Sequence, residues 1–493
     1  MARRHPLVGV VPVTLVIVCP IAIASARDSA YSVFVKQSQF VCQSCGTSSP
    51  RWMGRCAACG EWNSVVEERV DRARPRGRSP GIQVSEGRGA VRLDEALRDE
   101  ATRVATGMAE IDRVLGGGLV EGSVVLLGGE PGVGKSTLLL QLVARLAANT
   151  SVLYATGEES AAQVAGRARR LGVAEQADVR LLATGELEAI EDAVKAHDPR
   201  VVAVDSVQTL RAGELESAAG SVAQLREVTA RLVTMAKQQR RAVILVGHVT
   251  KDGSLAGPKV LEHLVDVVLS FDGERSGGPR IVRTLKNRFG ASGELAVFEM
   301  SRDGLREVPD PSVLFLAERP KDVPGSAVVA SADGARALLL EVQALVTPSG
   351  APSPRRVATG LDATRLSILA AVMAQRAGIS LRDHDVFASI AGGASVSEPA
   401  ADLAVACAIA SSVVDLALPG DLVVFGEIGL AGEVRAVPRC TARLDEALKM
   451  GFRRALIPKA NVDRGEVPDG ITAHGVAHLR EVAAWISRRA ESR

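Results

Sequence analysis

The sequence predicts a multidomain α/β protein in which a mostly parallel sheet, covered by helices on both faces, follows a small cysteine-rich module. Three observations predict it. Apolar runs such as SVVLLGG, VVAVDS and AVILVGH alternate with helical stretches, four cysteines lie close together, and a G-x-x-x-x-G-K-S pattern joins one strand to one helix. The 493 residues are too many for one ordinary core, so we expect two or three domains.

The amino-terminal residues 1–36 contain an apolar run, PLVGVVPVTLVIVCPIAIASA, directly after Arg3, Arg4 and His5. This layout is typical of a secretory signal or a short anchor, although Pro12 and Pro20 disfavour a stable membrane helix. We interpret the run as an upstream extension from an over-long start, because the rest of the chain carries the intracellular features described below. Export or membrane tethering is the alternative.

Composition limits the remaining possibilities. The formal net charge is +2 with 24% charged residues, so any contact with nucleic acid must come from a local basic surface. Of the seven cysteines, four are clustered and three are scattered. This pattern indicates a metal site and not a disulfide framework.

Residues 37–66 are expected to form a zinc module. The spacing is Cys-x2-Cys, ten residues, Cys-x2-Cys, so each pair can present two thiolates to one ion. Four thiolates complete a tetrahedron and leave no open position, which predicts structural zinc and not catalytic zinc. The predicted ligands are Cys42, Cys45, Cys56 and Cys59.

Two tryptophans in this module, Trp52 and Trp62, accompany Arg51 and Arg55. Aromatic and arginine side chains can stack on nucleic-acid bases. In so small a module, however, we expect both tryptophans to pack and shield the metal. Residues 67–90 are rich in Arg, Gly and Pro and have few large apolar side chains, which predicts a flexible linker.

The stretch GEPGVGKST lies between a predicted strand and a predicted helix, which is the context that a phosphate-binding loop requires. Its backbone N–H groups are expected to converge on ATP phosphates, Lys135 to neutralise the β and γ phosphates, and Ser136 to bind Mg²⁺. Asp205 ends the strand VVAVDS and is expected to hold the Mg²⁺ water shell. The predicted nucleotide-binding residues are Gly129, Glu130, Pro131, Gly132, Val133, Gly134, Lys135, Ser136 and Thr137.

Hydrolysis also needs a group that orients water. Glu158 and Glu159 follow the next strand, in YATGEES, and we assign Glu158 as the base with Glu159 as the alternative. His248 ends the strand AVILVGH. It is a candidate to bind the γ-phosphate and report its loss to the loop that follows.

Several of these stretches together resemble the RadA (Sms) family of bacterial DNA repair proteins. They are the four-Cys finger, TGMAEIDRVLGGGLVEGSVVLLGGEPGVGKST, YATGEES, VDSVQT, GHVTKDGSLAGPKVLEHLVD and LKNRFG. The resemblance runs from Gln39 nearly to the carboxyl end. It implies a RecA-like P-loop ATPase core over residues 91–310, a Lon-protease-like α/β domain over 311–493, and a hexameric ring.

The resemblance also implies a function. Such a protein would be a DNA-dependent ATPase and ring helicase that moves on single-stranded and branched DNA, and would promote branch migration of joints made by RecA during recombination and break repair. Its cofactors would be ATP, Mg²⁺ and structural Zn²⁺. It would work in the cytoplasm at the nucleoid, without stable membrane association.

The family motif KNRFG falls on Lys286, Asn287, Arg288, Phe289 and Gly290, and the resemblance implicates it in ATP turnover and DNA work. The γ-phosphate transition state needs positive charge from outside the loop. Lys286 and Arg288 are therefore the candidates to reach a neighbouring subunit's nucleotide. Lys251 and Lys259, in VTKDGSLAGPK, are candidate DNA contacts in the channel.

Two other functions remain open. A Lon-like domain uses a Ser and Lys pair, but here the matching positions are Ala400 and Thr441, and the nearby Ser397 has no evident lysine to activate it. We therefore expect a catalytically inactive domain, with ATP-dependent proteolysis as the alternative. The TGMAEIDRVLGGGLVEGS stretch also resembles clock-type regulatory ATPases that bind proteins, although the finger and KNRFG disfavour that interpretation.

Overall fold

The structure is a computed structural model that describes residues 37–42, 47–58, 60–62, 64–70, 102–173, 179–248, 260–273, 278–333, 336–350 and 353–491. Some of the predictions fall elsewhere in the chain. The amino-terminal extension, most of the linker, Cys45, Cys59, Lys251 and Lys259 lie outside the described residues. No helix in the described part of the chain is both long and apolar enough to cross a bilayer.

The amino-terminal module is a three-stranded antiparallel sheet, ordered β2-β1-β3. Its strands are β1 (Gln37–Cys42), β2 (Ser48–Ser49) and β3 (Val65–Val70). The third strand continues past residue 66, the end expected from composition, because its last residues still pair with the start of β1. Cys42 and Cys56 are buried.

The expectation that both tryptophans pack inside this module is wrong. Trp52 is 59% exposed and Trp62 is 67% exposed. Trp52 Nε1 donates to the Val65 carbonyl at 3.1 Å, and the Arg55 guanidinium lies over the Trp62 ring at 5.7 Å. Each ring is thus held by one edge or face while the remainder stays open to solvent.

The central unit contains a nine-stranded sheet ordered β14-β13-β12-β11-β6-β10-β9-β7-β8. The six strands from β11 to β8 are parallel, and β12 to β14 continue the sheet in antiparallel fashion. A small ribbon, β4 (Arg103–Val104) with β5 (Leu119–Val120), precedes it. The sheet strands are β6 (Val124–Gly129), β7 (Val152–Thr156), β8 (Val179–Ala183), β9 (Val201–Asp205), β10 (Ala242–His248), β11 (Val267–Gly273), β12 (Arg280–Asn287), β13 (Leu295–Ser301) and β14 (Gly304–Glu307).

Helices cover both faces of this sheet, as the alternating pattern predicts. Strands β6, β7 and β9 are buried along their whole length because each face meets a separate apolar cluster. The helices are α1 (Ala109–Leu115), α2 (Lys135–Leu146), α3 (Ala161–Arg170), α4 (Leu187–His197), α5 (Val222–Gln239) and α6 (Val260–Leu264).

The carboxyl-terminal unit is built on a seven-stranded sheet ordered β17-β18-β16-β15-β19-β22-β23, with a short hairpin β20-β21 beside it. Its strands are β15 (Ser326–Asp333), β16 (Arg336–Pro348), β17 (Arg356–Thr359), β18 (His384–Ile390), β19 (Leu422–Val424), β20 (Glu427–Ile428), β21 (Val434–Arg435), β22 (Arg454–Pro458) and β23 (Thr472–Val476). Its helices are α7 (Pro311–Leu316), α8 (Ala363–Val372), α9 (Asp402–Val413), α10 (Cys440–Lys449), α11 (Lys459–Asp463) and α12 (Leu479–Glu491).

One apolar cluster extends from the carboxyl-terminal unit onto the central sheet. Leu295 and Val297 of β13 belong to the same buried cluster as Phe315 of α7 and the inner strands of the second sheet. Charged pairs continue the contact, with Arg336 NH1 lying 3.4 Å from Glu110 Oε2. Because both apolar and charged groups cross the boundary, the units contact each other through more than a connecting loop.

Candidate active site

The ends of four neighbouring strands gather the predicted catalytic groups at one edge of the nine-stranded sheet. Gly129 of β6 is in register with His248 of β10, and Thr156 of β7 is in register with Asp205 of β9. Because parallel strands end at the same edge, residues far apart in sequence meet there. Glu158 follows β7 by one short turn at this edge.

The predicted phosphate-binding loop connects β6 to α2. Gly134 has φ +113°, in the region that favours glycine, and α2 begins at Lys135. Lys135 is buried, and its Nζ donates to the carbonyls of Gly129 and Glu130, each at 2.8 Å. Burial lowers the pKa of Lys135, and the nearby carboxylates of Asp205 and Glu158 partly oppose this shift.

Gly129 is required by close packing. A Cβ at this position would lie 2.4 Å from the Phe271 carbonyl oxygen, on the neighbouring strand β11. Position 129, where the loop leaves the sheet, therefore has room only for glycine.

The Asp205 carboxylate is buried and held by Tyr154, whose hydroxyl donates to Oδ2 at 2.8 Å. Burial, and then the Asp205 charge, raise the pKa of Tyr154, so its proton stays in place to hold the carboxylate. Sequence reasoning missed Tyr154. The available signal was an aromatic residue with a polar end in the middle of an otherwise apolar strand.

Glu158 lies between two strand ends. Its Oε1 is 3.0 Å from His248 Nε2 and also accepts a hydrogen bond from the Ser206 hydroxyl. The hydrogen bond with His248 is the main reason that the pKa of Glu158 falls to about 2; burial opposes this shift, while Ser206 and the charge of Lys135 reinforce it. The carboxylate is therefore ionised at neutral pH.

The neighbouring Glu159 has a different environment. Its carboxylate forms an ion pair with Arg167 of α3. The Thr156 hydroxyl accepts the backbone N–H groups of both Glu158 and Glu159, at 3.3 and 3.2 Å, which fixes the turn. The structure thus brings Glu158, and not Glu159, into contact with Ser206 and His248.

Lys286 and Arg288 lie at the opposite end of the sheet. Lys286 is in register with Val268, Asn287 is in register with Val267, and Val267 pairs with Val125, near the beginning of the strand that ends in the phosphate-binding loop. At about 3.3 Å per residue, these cations and their own subunit's loop are separated by most of a strand length and two strand spacings. They do not approach it.

Both cations contact the segment that contains α6. Lys286 Nζ donates to the carbonyls of Glu262 and Val265, at 2.7 and 2.8 Å. Arg288 NH1 donates to Asp266 Oδ1 at 2.9 Å, and Asp266 Oδ2 accepts the N–H of Val124 at 3.1 Å. Arg288 is thereby linked to the first residue of β6.

The rest of the KNRFG motif packs on the end of α1. Asn287 Nδ2 donates to the Leu115 carbonyl at 3.2 Å, and its Oδ1 accepts the Phe289 N–H at 2.9 Å. Gly290 lies directly against Gly116, because a Cβ on either glycine would come within 3.2 Å of the other's Cα. Two stretches that the family resemblance singled out separately are thus in contact.

The carboxyl-terminal unit has no visible Ser and Lys pair at the expected positions. Ala400 is buried, and Thr441 donates its hydroxyl proton to the Glu466 carbonyl at 3.1 Å. Close by, the fully buried Arg443 binds Glu398 through two nitrogens, at 2.9 and 2.6 Å. An arginine side chain does not replace the lysine that activates serine in a Ser and Lys pair.

Comparisons with known proteins agree with this architecture. A family profile described as "AAA domain" matches residues 92–254, one described as "Rubredoxin metal binding domain" matches 40–67, and one described as "Subunit ChlI of Mg-chelatase" matches 370–461. A KaiC-like protein of Pyrococcus horikoshii OT3 aligns over 42% of this chain and 100% of its own, with TM-score 0.36 and 23% identity.

The fold and the phosphate-binding loop define a RecA-like P-loop ATPase, joined to an amino-terminal zinc ribbon and a Lon-protease-like α/β domain. The sequence is 49% identical to the DNA repair protein RadA of Pseudomonas aeruginosa, over 89% of this chain and 96% of that protein. It is 47% identical to the RadA protein of Bacillus subtilis, over 90% and 97%. The chain belongs to the RadA family.

Proposed function

We propose that this ATPase is a ring-forming DNA motor that acts in recombination and break repair, moves on single-stranded and branched DNA, and promotes branch migration of RecA-made joints. Its relatives are named as DNA repair proteins. The observation that carries the proposal is the separation of Lys286 and Arg288 from their own subunit's loop.

One subunit supplies the nucleotide-binding half of the site. Lys135 and Ser136 bind the phosphates and Mg²⁺, and Asp205, held by Tyr154, orients the Mg²⁺ water shell. The ionised Glu158 accepts a hydrogen bond from the attacking water and aligns it. With a pKa of about 2, Glu158 acts by orientation more than as a strong proton acceptor.

The adjacent subunit supplies the missing positive charge. Because Lys286 and Arg288 lie at the far end of their own sheet, a head-to-tail ring places them beside the next subunit's phosphates. In other NTPases, a cation supplied in this way raises kcat by roughly 10³- to 10⁵-fold. The hydrogen bonds from Lys286 to α6 would then transmit turnover to residues 249–259, where Lys251 and Lys259 are the proposed DNA contacts.

Mixed rings test this arrangement. Lys135→Ala subunits have a damaged nucleotide-binding half but keep Lys286 and Arg288. Arg288→Ala subunits keep the nucleotide-binding half but lack one of the two cations. Random assortment of equal amounts places complementary halves together at about a quarter of the interfaces, so DNA-stimulated ATP hydrolysis should return to roughly that fraction. A control mixture of Lys135→Ala with Glu158→Gln, both damaged in the same half, should stay inactive.

If the complementary mixture shows only the sum of its separate activities, the shared site is wrong. An ATPase rate that does not respond to single-stranded DNA would favour the protein-binding regulatory ATPase instead. Loss of RecA-joint migration in the Arg288→Ala protein, with ATP binding retained, would support the proposed action on DNA. The assays are best made with the chain from residue 36 onward.

The remaining assignments belong to the same proposal. We place the ATPase domain over residues 91–310 and an inactive Lon-like domain over 311–493, where it would support ring assembly and DNA contact. Residues 37–66 would hold structural zinc through their four cysteines. The protein would act in the cytoplasm at the nucleoid. Casein cleavage that stops on Ser397→Ala would instead favour the protease.

A further inference from the structure

The strand order determines on which side the nucleoside of bound ATP leaves the phosphate-binding loop. Lys135 lies near Glu158, which follows β7, and Asp205, which ends β9; both strands are on one side of β6. The γ-phosphate must face these groups, since they carry the hydrolytic chemistry. The nucleoside, at the other end of the triphosphate, must therefore lie on the opposite side, over strands β11 to β14.

One exposed apolar side chain occupies that position. Met300 is 41% exposed and lies at the end of β13 on the same sheet edge as the loop, two residues beyond the Phe298–Arg280 pair. Its Cε is 3.1 Å from the position that a Cβ on Gly134 would occupy. Leu285, also exposed on this side of the sheet, lies next to Lys286 at the far end.

Met300 is held in place by the turn that follows it. The buried Gln141 of α2 accepts the N–H of Leu305 at 2.9 Å and donates to its carbonyl at 3.2 Å. The Ser301 hydroxyl donates to the Gly304 carbonyl at 2.8 Å. The β13–β14 hairpin is therefore fixed to the same helix that begins at the phosphate-binding loop, so Met300 and the loop keep a constant spacing.

We propose that Met300 is the platform on which the base of the bound nucleotide lies. A thioether is polarisable and makes favourable contacts with aromatic rings, and the rim position leaves one face of the side chain open. A flat contact of this kind favours a larger purine ring over a smaller pyrimidine ring. The inference rests on nucleotide binding at the loop and on the proposed roles of Glu158 and Asp205, and not on the proposed action on DNA.

Displacement of a fluorescent ADP analogue, without DNA, tests this proposal. Competitors are Mg-ADP, which has a base, and Mg-pyrophosphate, which has none, with the affinity of the analogue measured separately for each variant. In Met300→Ala we expect ADP to bind roughly two- to tenfold more weakly, from the usual strength of such contacts, and pyrophosphate to bind as in the wild type. Met300→Phe, which restores a flat apolar surface, should recover ADP affinity.

Leu345→Ala removes a more exposed apolar side chain (56%, against 41% for Met300) from the carboxyl-terminal sheet and should change neither affinity. Equal weakening of ADP and pyrophosphate in Met300→Ala would overturn the proposal, because Met300 would then support the loop and not the base. Unchanged ADP affinity would also overturn it, because the base would have to lie elsewhere.

Discussion

Glu158 Oε1 lies 3.0 Å from His248 Nε2, and this contact joins the carboxylate that we propose orients water to the last residue of β10. The segment 249–259 begins directly after His248. Movement of His248 would therefore alter Glu158 and the start of that segment together. The contact offers a short physical route between hydrolysis and the proposed DNA-binding loop.

The environments of the two adjacent glutamates lead to opposite expectations. Glu158→Gln should lower kcat for ATP by roughly 10²- to 10⁴-fold while ATP binding persists, because water is no longer oriented by a charge. Glu159→Gln is the matched control, since its carboxylate is already paired with Arg167. It should retain most of the activity. Steady-state ATPase assays, together with a measurement of ATP affinity, distinguish the two variants. If Glu159→Gln lost more activity than Glu158→Gln, Glu159 would be the residue that orients water.

The low pKa of Glu158 predicts how this residue affects stability as pH changes. Its folded-state value is about 2 and its ordinary value is 4.5, so any stabilisation from the charged form is complete above 4.5 and is lost as pH falls towards 2. The Tm difference between wild type and Glu158→Gln should shrink as the pH falls from about 4.5 towards 2. Thermal unfolding in a buffer series measures it. A difference that widens on acidification would contradict the assignment.

Lys286 and Arg288 should differ in their structural effect. Either alanine variant should bind ATP nearly normally and lose DNA-stimulated hydrolysis. Lys286→Ala should also lower Tm more than Arg288→Ala, because the partly buried Lys286 amine satisfies two backbone carbonyls, whereas Arg288 is half exposed. Lys237→Ala, which removes a cation 3.9 Å from Asp266, is the control. DNA stimulation that survives both motif substitutions would exclude the motif from catalysis.

The Arg443 and Glu398 pair should contribute to folding and not to peptide cleavage. Arg443→Met should destabilise the chain by about 3 kcal/mol, because removing one partner leaves the other charge uncompensated in a largely buried place. In the double variant Arg443→Met/Glu398→Gln, the unpaired Glu398 charge is also removed, so much of the lost stability should return. Denaturant unfolding of the two variants measures this recovery. Equal stability of the single and double variants would contradict it.

The sequence placed the phosphate-binding loop because that motif is local: strand, glycines, lysine and helix follow one another without a break. It placed Asp205, Glu158 and His248 at strand ends, and parallel pairing then brought them together. The contact of Asn287 and Gly290 with Leu115 and Gly116 could not be predicted. It joins segments about 170 residues apart, and neither segment has a periodicity that reveals the other.

The tryptophans show a second limit of sequence reasoning. Composition favoured burial, because large aromatic side chains usually dominate small cores. The module instead buries Cys42, Cys56 and Val65 and leaves both indole rings largely exposed. Hydropathy alone does not separate a tryptophan that fills a core from one held at the surface by Val65 or Arg55.

The apolar cluster shared by Leu295, Val297 and Phe315 has a practical consequence for experiments on separate domains. Cutting the chain after residue 310 would uncover Leu295 and Val297 on one fragment and Phe315 on the other. Each fragment would then expose an apolar patch to solvent, and such patches promote self-association. Aggregation of such fragments would therefore result from the exposed contact surface. Replacing Leu295 and Val297 with threonine should give an ATPase fragment that aggregates less.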